Sequence, residues 1–387
     1  MIGKYRSTFG IGDVFAAARA TASSQQRLRD HLTAICGCRH VILFQSARCA
    51  LRALLGTLGG GGKAVVPAYN CIAVPEAVEG AGWQPVFADV ASGDINMTPA
   101  TLEERLPADA RVVLLTHQFG LPSDIDPIVA LCRRRGMLVV EDAAPAIGAR
   151  YRGRPVGQFG DAAVISLHLT KVVGVGRLGA LLTNDDTIAR NVSALQVAAT
   201  HFVGNLVDFT GACAWWAATR PSVYGALRSA RSLLQKDELY ETVVPNGTFP
   251  ADLFTGCSNY VAGLACRQMD ALDANLSTRR DLARIYADEL RDVNGIAMLG
   301  VPDGAEPAWM QFPIFVENKE ACYRFLLNQG VDLNWTFRYS CGVSYNVRHT
   351  PNADRAARTV LGLPTYPGLP EQEVRRICDL LRRYAEK

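Results

Sequence analysis

Five residues at the predicted ends of strands could act together on one ligand. Lys171 follows the apolar run AAVISL, where partial desolvation lets an amine act as nucleophile and base. Asp142 ends the run MLVVED, and a carboxylate there could keep the nitrogen of a heteroaromatic ring protonated. Ser46 and Ala47 begin a predicted helix directly after VILFQ, so their N–H groups and the helix dipole can bind a phosphate. Ser166, shortly before Lys171, can add a hydroxyl.

Taken singly, each of these residues has an ordinary structural interpretation. A Ser at the start of a helix commonly caps it, an Asp after a strand commonly stabilises a turn, and a single Lys is commonly solvated. Their joint order is more informative, because pyridoxal phosphate needs a lysine amine, an acid at its ring nitrogen and a phosphate cup. The residues therefore predict a site for this cofactor.

Two of the six histidines, His117 and His168, also follow predicted strands. The carboxyl ends of strands in an open α/β sheet face the ligand crevice, so each could line the site; a structural hydrogen bond is the alternative. The histidines form neither HExxH nor a spaced pair with Cys, so we expect no bound metal.

Bringing these residues to one edge requires a mostly parallel sheet, and the sequence predicts one. Apolar runs bounded by turn residues alternate with helical patterns from about residue 40 to 186, which is typical of an α/β fold with helices on both faces. The predicted strands are VILF (41–44), AVVP (64–67), PVFADV (85–90), VVLLTH (112–117), MLVVEDA (137–143), AAVISL (162–167) and ALLTND (180–185). The predicted helices include 46–57, 70–82, 99–106 and 124–136.

The rest of the chain predicts a helical connection and a second, smaller domain. The aromatic stretch within 187–250 favours helices broken at Pro221. We expect a large domain over 1–256 and a small α+β domain over 257–387. In the small domain, MQFPIFV (310–316) is typical of an edge strand because it contains Pro, and PEQEVRRICDLLRRYAE of a closing helix.

Composition limits the function classes. The chain has 387 residues, 49% of them hydrophobic and 20% charged, with a formal charge of +3. This near-neutral balance argues against a nucleic-acid partner and against a disordered or collagen-like chain. The 11 Cys show no disulfide or zinc spacing. We find neither a signal-peptide core nor an apolar run long enough to span a membrane, so we expect a cytoplasmic protein.

One short motif invites a different assignment. GVGRLG (174–179) matches the dinucleotide fingerprint GxGxxG, but that fingerprint must lead from a strand into a helix. Here a predicted strand follows it, so a nicotinamide-dependent enzyme is disfavoured.

Long stretches of the chain resemble the DegT/DnrJ/EryC1/StrS aminotransferases, the sugar aminotransferase group of fold-type-I pyridoxal-phosphate enzymes. The resemblance extends over roughly 25–186 and 252–387. EDAAPAIGARYRGRPVGQFGDAAVISLHLTK is similar to the family's central signature, and QSARCAL to its phosphate-cup helix. The other matching segments are GWQPVFADV, HQFGLPSDIDPI and LGLPTYPGLPEQEV.

The resemblance implies a role for each residue. Lys171 would be the lysine that holds the cofactor as a Schiff base, Asp142 the partner of the ring nitrogen, and Ser46, Ala47 and Ser166 the phosphate contacts. It also implies a homodimer whose active sites lie at the subunit interface. Lys171 distinguishes the chain from the family's dehydratase branch, which has His at this position, so transamination is expected.

Several positions depart from the family pattern. Pro145 stands where the family commonly has Gln beside the cofactor. Cys71 replaces an aromatic residue that often stacks on the ring, with Tyr69 nearby. The family's phosphate-binding Asn from the neighbouring subunit has no clear counterpart; Asp252 and Asn259 lie nearest.

Two further features of the sequence each allow two interpretations. Arg177, in place of a family carboxylate, could bind the carboxylate of an amino donor or acceptor, or form an ion pair at the surface or interface. The aromatic segment 202–234 could pack on the core or on a dimer partner. Alternatively, it could offer an apolar surface to a lipid-like or carrier-bound acceptor or to a membrane.

The sequence thus predicts an aminotransferase that uses pyridoxal phosphate. The resemblance implies glutamate or glutamine as donor and a nucleotide-linked keto sugar as acceptor, in sugar or natural-product biosynthesis. A pyridoxal-phosphate enzyme of another reaction type, a non-sugar acceptor, and a non-catalytic regulatory relative are the alternatives. The last would need a damaged Lys or Asp, whereas Lys171 and Asp142 are both present.

Overall fold

The computed structural model describes residues 1–197, 201–233 and 254–386. The strands, in chain order, are β1 (His40–Phe44), β2 (Lys63–Pro67), β3 (Gln84–Ala88), β4 (Ala110–Thr116), β5 (Leu138–Asp142), β6 (Arg150–Tyr151), β7 (Arg154–Pro155), β8 (Ala162–Ser166), β9 (Gly179–Thr183), β10 (Ile296–Met298), β11 (Ala305–Glu306), β12 (Phe312–Val316) and β13 (Val360–Leu363).

Helices connect and cover these strands. They are α1 (Ile11–Ala17), α2 (Ala22–Cys36), α3 (Ala47–Thr57), α4 (Ala73–Gly80), α5 (Pro99–Glu104), α6 (Ile125–Arg134), α7 (Asp186–Ala194), α8 (His201–Ala218), α9 (Pro221–Leu233), α10 (Asn259–Asp270), α11 (Leu272–Leu290), α12 (Lys319–Asn328), α13 (Cys341–Ser344), α14 (Pro351–Thr359) and α15 (Glu371–Ala385), with a 3₁₀ turn over Gln118–Gly120.

The central sheet has seven strands in the order β1-β9-β8-β5-β4-β2-β3. Strands β3, β2, β4, β5 and β8 pair in parallel, and β9 runs antiparallel to both β8 and β1. Each strand corresponds to one of the seven predicted runs, so the prediction of a mostly parallel sheet is confirmed. The predicted helices 46–57, 99–106 and 124–136 correspond to α3, α5 and α6, and 70–82 shortens to α4.

Both faces of this sheet are covered, because successive side chains of a strand point to opposite faces. On β5, Val139 belongs to the core that also contains residues of α2, α6 and α10, while Val140 belongs to the core beneath α3 and α4. The continuous apolar runs of the sequence follow from this burial on two sides.

A third core forms the smaller unit, built around the sheet β10-β12-β13 with α11, α12 and α15. The prediction that residues 310–316 form an edge strand is wrong, since β12 lies between β10 and β13. Pro313 is tolerated because β10 pairs with β12 only from Ile314 to Val316 and ends before Pro313.

The segment after residue 257 forms two helices, which meet at Ala271. Helix α10 and the start of α11 pack into a core of the large sheet, through Tyr260, Leu264 and Leu276 among others. From Leu282 onward, α11 packs into the third core. The predicted domain boundary at 257 therefore lies before the point, within α11, at which the chain enters the third core.

The helical connection is broken at Pro221 as predicted, with α8 on one side and α9 on the other. Residues 198–200 and 234–250 of the predicted connection 187–250 lie outside the described residues, as does Leu234 of the aromatic segment 202–234. Trp215 and Trp216 of α8 pack partly buried against a core of the large sheet. Among the helices described, none has the length and apolar character to cross a membrane.

Candidate active site

The register of the sheet brings the predicted site residues to one edge. Thr116 of β4 pairs with Asp142 of β5, and Asp142 pairs with Val164 of β8. Across the antiparallel pairs, Ser166 lies opposite Gly179, and Gly179 lies opposite Phe44, two residues before Ser46. The ends of β1, β5 and β8 therefore meet around one small region.

Asp142 is 6% exposed, and both of its carboxylate oxygens accept hydrogen bonds. Thr116 Oγ1 donates to Oδ2 at 3.3 Å, and the backbone N–H of Ala144 donates to Oδ1 at 3.1 Å. Burial raises the pKa of Asp142, and the positive charge of Lys171 is the main effect that opposes this rise. A cationic group bound beside Asp142 would lower its pKa further and favour the ionised carboxylate.

Lys171 is half-buried at the first turn after β8. Its backbone N–H donates to the carbonyl of His168 at 2.8 Å. The next residue, Val172, is bound by α11, because Asn275 donates from Nδ2 to the carbonyl of Val172 at 3.0 Å. The amine of Lys171 lies close enough to Asp142 and to Cys71 to interact electrostatically with both.

The first turn of α3 is the predicted phosphate site. Ser46 caps the helix, accepting at Oγ from the N–H of Cys49 at 3.2 Å. Ala47 is the first residue of the helix, so its N–H has no partner within the helix. A Cβ built on Gly179 would lie 2.2 Å from Ala47 N, so only glycine lets β9 pass this close to the helix start. Ser166 accepts from the N–H of His168 at 3.4 Å, which leaves its own proton available.

Cys71 and Tyr69 are placed differently. Cys71 is exposed beside Lys171, whereas Tyr69 has no exposed surface and contacts Phe337 edge to face at a ring separation of 5.0 Å. The Tyr69 hydroxyl has no hydrogen-bond partner in the described structure. Of the two residues predicted near the ring, Cys71 is therefore the one beside the Lys171 amine.

His117 makes the structural hydrogen bonds that were one of its two interpretations. The ring is fully buried, and Nδ1 accepts from the N–H of Ser123 at 3.1 Å, so Nε2 carries the proton and donates to Glu141 at 3.2 Å. Glu141 also accepts from the N–H groups of Gly157, Phe159 and Gly160 at 2.6–2.8 Å. This carboxylate holds the connection between β5 and β8.

His168 remains beside Lys171 with part of its side chain in contact with solvent, and its Nδ1 lies 3.4 Å from Thr170 Oγ1. Partial burial of the ring lowers the pKa of His168, and the positive charge of Lys171 lowers it further. A neutral imidazole at this place can accept a proton.

Arg177 makes the ion pair that was the second of its two interpretations. Its Nε donates to Asp208 of α8 at 3.2 Å and its Nη1 to Gln45 Oε1 at 3.3 Å. The carboxylate that Arg177 binds in this chain is thus a side chain of the helical connection. Of the two residues nearest to the family's phosphate-binding Asn, Asn259 accepts from Gln25 Nε2 at 3.0 Å, and Asp252 lies outside the described residues.

The sequence did not reveal a buried series of hydrogen-bonded side chains that leads to Asp142. Gln118 donates from Nε2 to Asn70 Oδ1 at 3.3 Å, Asn70 donates to Thr116 Oγ1 at 2.9 Å, and Thr116 donates to Asp142. Asn70 and Thr116 lie at or just beyond the carboxyl ends of β2 and β4. That position was the available signal, since parallel strands share this edge. Arg279 and Gln311 were also missed, and they line a cavity with Lys171.

The chain is similar to known proteins along most of its length. The profile that describes the DegT/DnrJ/EryC1/StrS aminotransferase family matches residues 18–206 and 257–382. The chain is 26% identical over 342 residues to a pleiotropic regulatory protein of Geobacillus stearothermophilus, covering 85% of this chain and 81% of that protein. It is 27% identical over 391 residues to a UDP-N-acetyl-3-dehydro-alpha-D-glucosamine 3-aminotransferase of Acidithiobacillus ferrooxidans, covering 97% and 92%.

Among solved structures, a putative sugar aminotransferase from Streptococcus pneumoniae in its PMP form superposes with a TM-score of 0.80. The two sequences are 18% identical, and the match covers 100% of this chain and 99% of that chain. This likeness supports the fold assigned above.

Proposed function

The chain belongs to the DegT/DnrJ/EryC1/StrS aminotransferase family, and from this premise we propose that it uses pyridoxal phosphate to move an amino group from an amino acid to a nucleotide-linked keto sugar. The observation that carries the proposal is the Lys171 amine beside the buried carboxylate of Asp142, at the ends of neighbouring strands and next to the open first turn of α3. The donor is glutamate or glutamine.

The residues present fit the cofactor. The N–H of Ala47, the first turn of α3 and the Ser166 hydroxyl would hold its phosphate. Asp142 would accept from the ring nitrogen, and Cys71 would lie beside the ring. When bound, the cofactor supplies an aldehyde that reacts with amines and a ring that withdraws electrons.

Lys171 and Asp142 have different roles in the reaction: Lys171 transfers protons, and Asp142 acts on the ring nitrogen of the cofactor. With its amine free, Lys171 accepts the proton of the donor's α-carbon and later delivers a proton to the acceptor carbon that receives the amine. Asp142, ionised beside a cationic ring nitrogen, keeps that nitrogen protonated. Because the two half-reactions are separate, the kinetics should be ping-pong.

The acceptor class is supported by the aminotransferase from Acidithiobacillus ferrooxidans, whose name specifies a UDP-linked dehydro sugar and which matches along nearly the whole chain. Because one relative is called a pleiotropic regulatory protein, a regulatory function is the second candidate. The intact pair of Lys171 and Asp142 favours catalysis.

We also propose that the protein works as a cytoplasmic homodimer. Apolar side chains on the outer faces of α8 and α9 are exposed in the single chain, including Val203, Leu206, Val207 and Leu227. Burial of such a surface against a second copy would be favourable. Light scattering coupled to size-exclusion chromatography tests this, and a monomer at micromolar concentration would contradict it.

The visible absorbance of the purified protein tests the proposed reaction. Wild type should bind pyridoxal phosphate and lose its visible band on addition of glutamate, leaving the cofactor in its amine form. Lys171→Ala should neither bind the cofactor covalently nor make this conversion. A colourless wild type that does not take up added pyridoxal phosphate would overturn the proposal. Conversion to another product would indicate a different reaction type.

A further inference from the structure

A narrow cavity beside Lys171 is positively charged. Its lining includes four cationic side chains, those of Lys4, Arg6, Lys171 and Arg279, and none of its lining residues in the described chain is Asp or Glu. The cavity is small, with an accessible volume of about 10 Å³, and it is partly open to solvent. A ligand group that enters meets these four cations, so an anionic group is favoured.

Arg279 is the most deeply buried of these cations. It lies on α11, is 3% exposed, and donates only to neutral oxygens. Nε donates to Asn275 Oδ1 at 2.7 Å, and Nη1 donates to the carbonyl of Met310 at 3.0 Å and to Thr365 Oγ1 at 3.3 Å. Burial lowers the pKa of Arg279 to about 9. A buried guanidinium without a carboxylate partner in the described structure is stabilised when an anion binds beside it.

Gln311 lies in the same cavity wall with an unused donor. The side chain is 1% exposed, and its Oε1 accepts from Asn334 Nδ2 at 2.6 Å. Its Nε2 has no acceptor among the described residues. A buried amide donor without a partner is costly, and a ligand oxygen would satisfy it.

We propose that Arg279 and Gln311 bind the α-carboxylate of the amino donor and so select amino acids as donors. This inference rests on the proposed aminotransferase function. A carboxylate supplies the missing negative charge, accepts from the free amide of Gln311, and lies next to the Lys171 amine that must reach the donor's α-carbon. Arg177 does not compete for this role in the structure, because it binds Asp208.

The lining of the cavity separates the α-carboxylate from the phosphate of the cofactor. The first turn of α3, which is proposed to bind that phosphate, contributes no residue to the cavity wall. The donor carboxylate and the cofactor phosphate are therefore expected at different places.

The test measures the donor half-reaction by cofactor absorbance, with glutamate and with isoglutamine, whose α-carboxylate is an amide. Gln311→Glu keeps the acceptor for Asn334 and adds a negative charge to the cavity wall. We expect its apparent affinity for glutamate to fall about 10- to 100-fold, with that for isoglutamine changed far less. Arg279→Lys should likewise lose the preference for glutamate over isoglutamine.

Arg280→Lys is the matched control, since Arg280 is on the same helix but donates to the carbonyls of Pro307 and Gly148 outside the cavity. It should keep the wild-type preference. Should Arg279→Lys fail to fold, Gln311→Glu still decides the question. Unchanged donor preference in folded Gln311→Glu, or a change in acceptor affinity alone, would overturn the inference. Failure of wild type to react with any amino acid would instead refute the proposed function.

Discussion

The guanidinium of Arg177 binds the carboxylate of Asp208 at 3.2 Å, and Asp208 also accepts from Ser258 Oγ at 2.6 Å. Ser258 in turn caps α10 by accepting from the N–H of Val261. One carboxylate thus joins the segment that follows Lys171, the helical connection and the start of α10. The segment that follows Lys171 is therefore in contact with a helix that lies outside the sheet.

Arg177→Ala should leave the affinity for the amino donor unchanged and lower the free energy of unfolding by less than about 1 kcal/mol, because the Arg177 side chain is 49% exposed and solvent screens the pair. Asp208→Ala should cost more, since Asp208 is buried and serves two donors. Donor titrations and urea unfolding measure the two effects. A tenfold rise in the donor KM of Arg177→Ala would show that it binds substrate.

Asp142→Asn should reduce turnover by about 100-fold or more, because a neutral amide cannot keep the ring nitrogen protonated. Thr116→Val removes the hydrogen bond to Oδ2 and the acceptor for Asn70 Nδ2, and it should reduce turnover about tenfold. Steady-state rates, with bound-cofactor absorbance as a check on loading, measure both. Equal rates in Asp142→Asn and wild type at full loading would exclude the assigned role.

Glu141→Gln should destabilise the protein by about 3 kcal/mol at neutral pH, because it breaks a buried hydrogen-bonded carboxylate. Burial acts to raise the pKa of Glu141, but the hydrogen bond from His117 and those from the N–H groups of Gly160 and Gly157 lower it overall. The unfolded chain therefore binds more protons, so this stabilisation is present above about pH 4.5 and is lost as the pH falls through the lower folded pKa.

Thermal or urea unfolding of wild type and Glu141→Gln across this pH range gives the measurement, and their difference should shrink in acid. Glu103→Gln is the control, since Glu103 forms an exposed ion pair with Arg135 and should cost less than about 0.5 kcal/mol. A difference for Glu141→Gln that grows in acid would contradict the assigned sign.

Cys71 should be the first cysteine to react with iodoacetamide. All eleven cysteines lie within the described ranges, and Cys71 alone among them is exposed. Desolvation raises the pKa of the Cys71 thiol. Because the thiolate is the reactive form, labelling should accelerate with increasing pH. Peptide mass spectrometry should place the label on Cys71, bound pyridoxal phosphate should protect it, and Cys71→Ser should remove it. Labelling at the same rate with and without cofactor would show that Cys71 does not lie beside the cofactor ring.

Gly179→Ala should weaken binding of pyridoxal phosphate and destabilise the protein by about 2 kcal/mol or more, because its Cβ would overlap the backbone of Ser46 and Ala47. Gly211→Ala is the matched control: it lies on α8 with no described atom within 4 Å of the added carbon, and should be neutral or stabilising by up to about 1 kcal/mol. Cofactor titrations and unfolding curves compare them. Wild-type cofactor affinity in Gly179→Ala would show that the helix start is not in the phosphate site.

The sheet could be predicted because each of its strands is encoded locally. Runs such as MLVVED and AAVISL are apolar on both faces, carry a polar residue at or near their carboxyl ends and alternate with helical patterns. These local patterns indicate the burial and direction of each strand without any knowledge of distant contacts. The positions of Asp142, Ser166 and the start of α3 at one edge follow, since parallel strands share their carboxyl ends. Strand β12 was predicted to lie at a sheet edge because Pro313 disfavours a central strand. In the structure β12 is central, and Pro313 is tolerated because β10 ends before it.

The sequence by itself determined the class of fold and the edge of the sheet at which Lys171 and Asp142, the two residues proposed to carry the chemistry, lie. Only the tertiary structure decided which of two interpretations holds for His117 and Arg177, and that Arg279 and Gln311 reach the wall beside Lys171. The physical reason is that periodicity encodes local conformation and burial. The partner of a polar side chain, in contrast, depends on how elements far apart in the chain pack, and Arg279 meets Lys171 only because α11 packs across the end of the sheet.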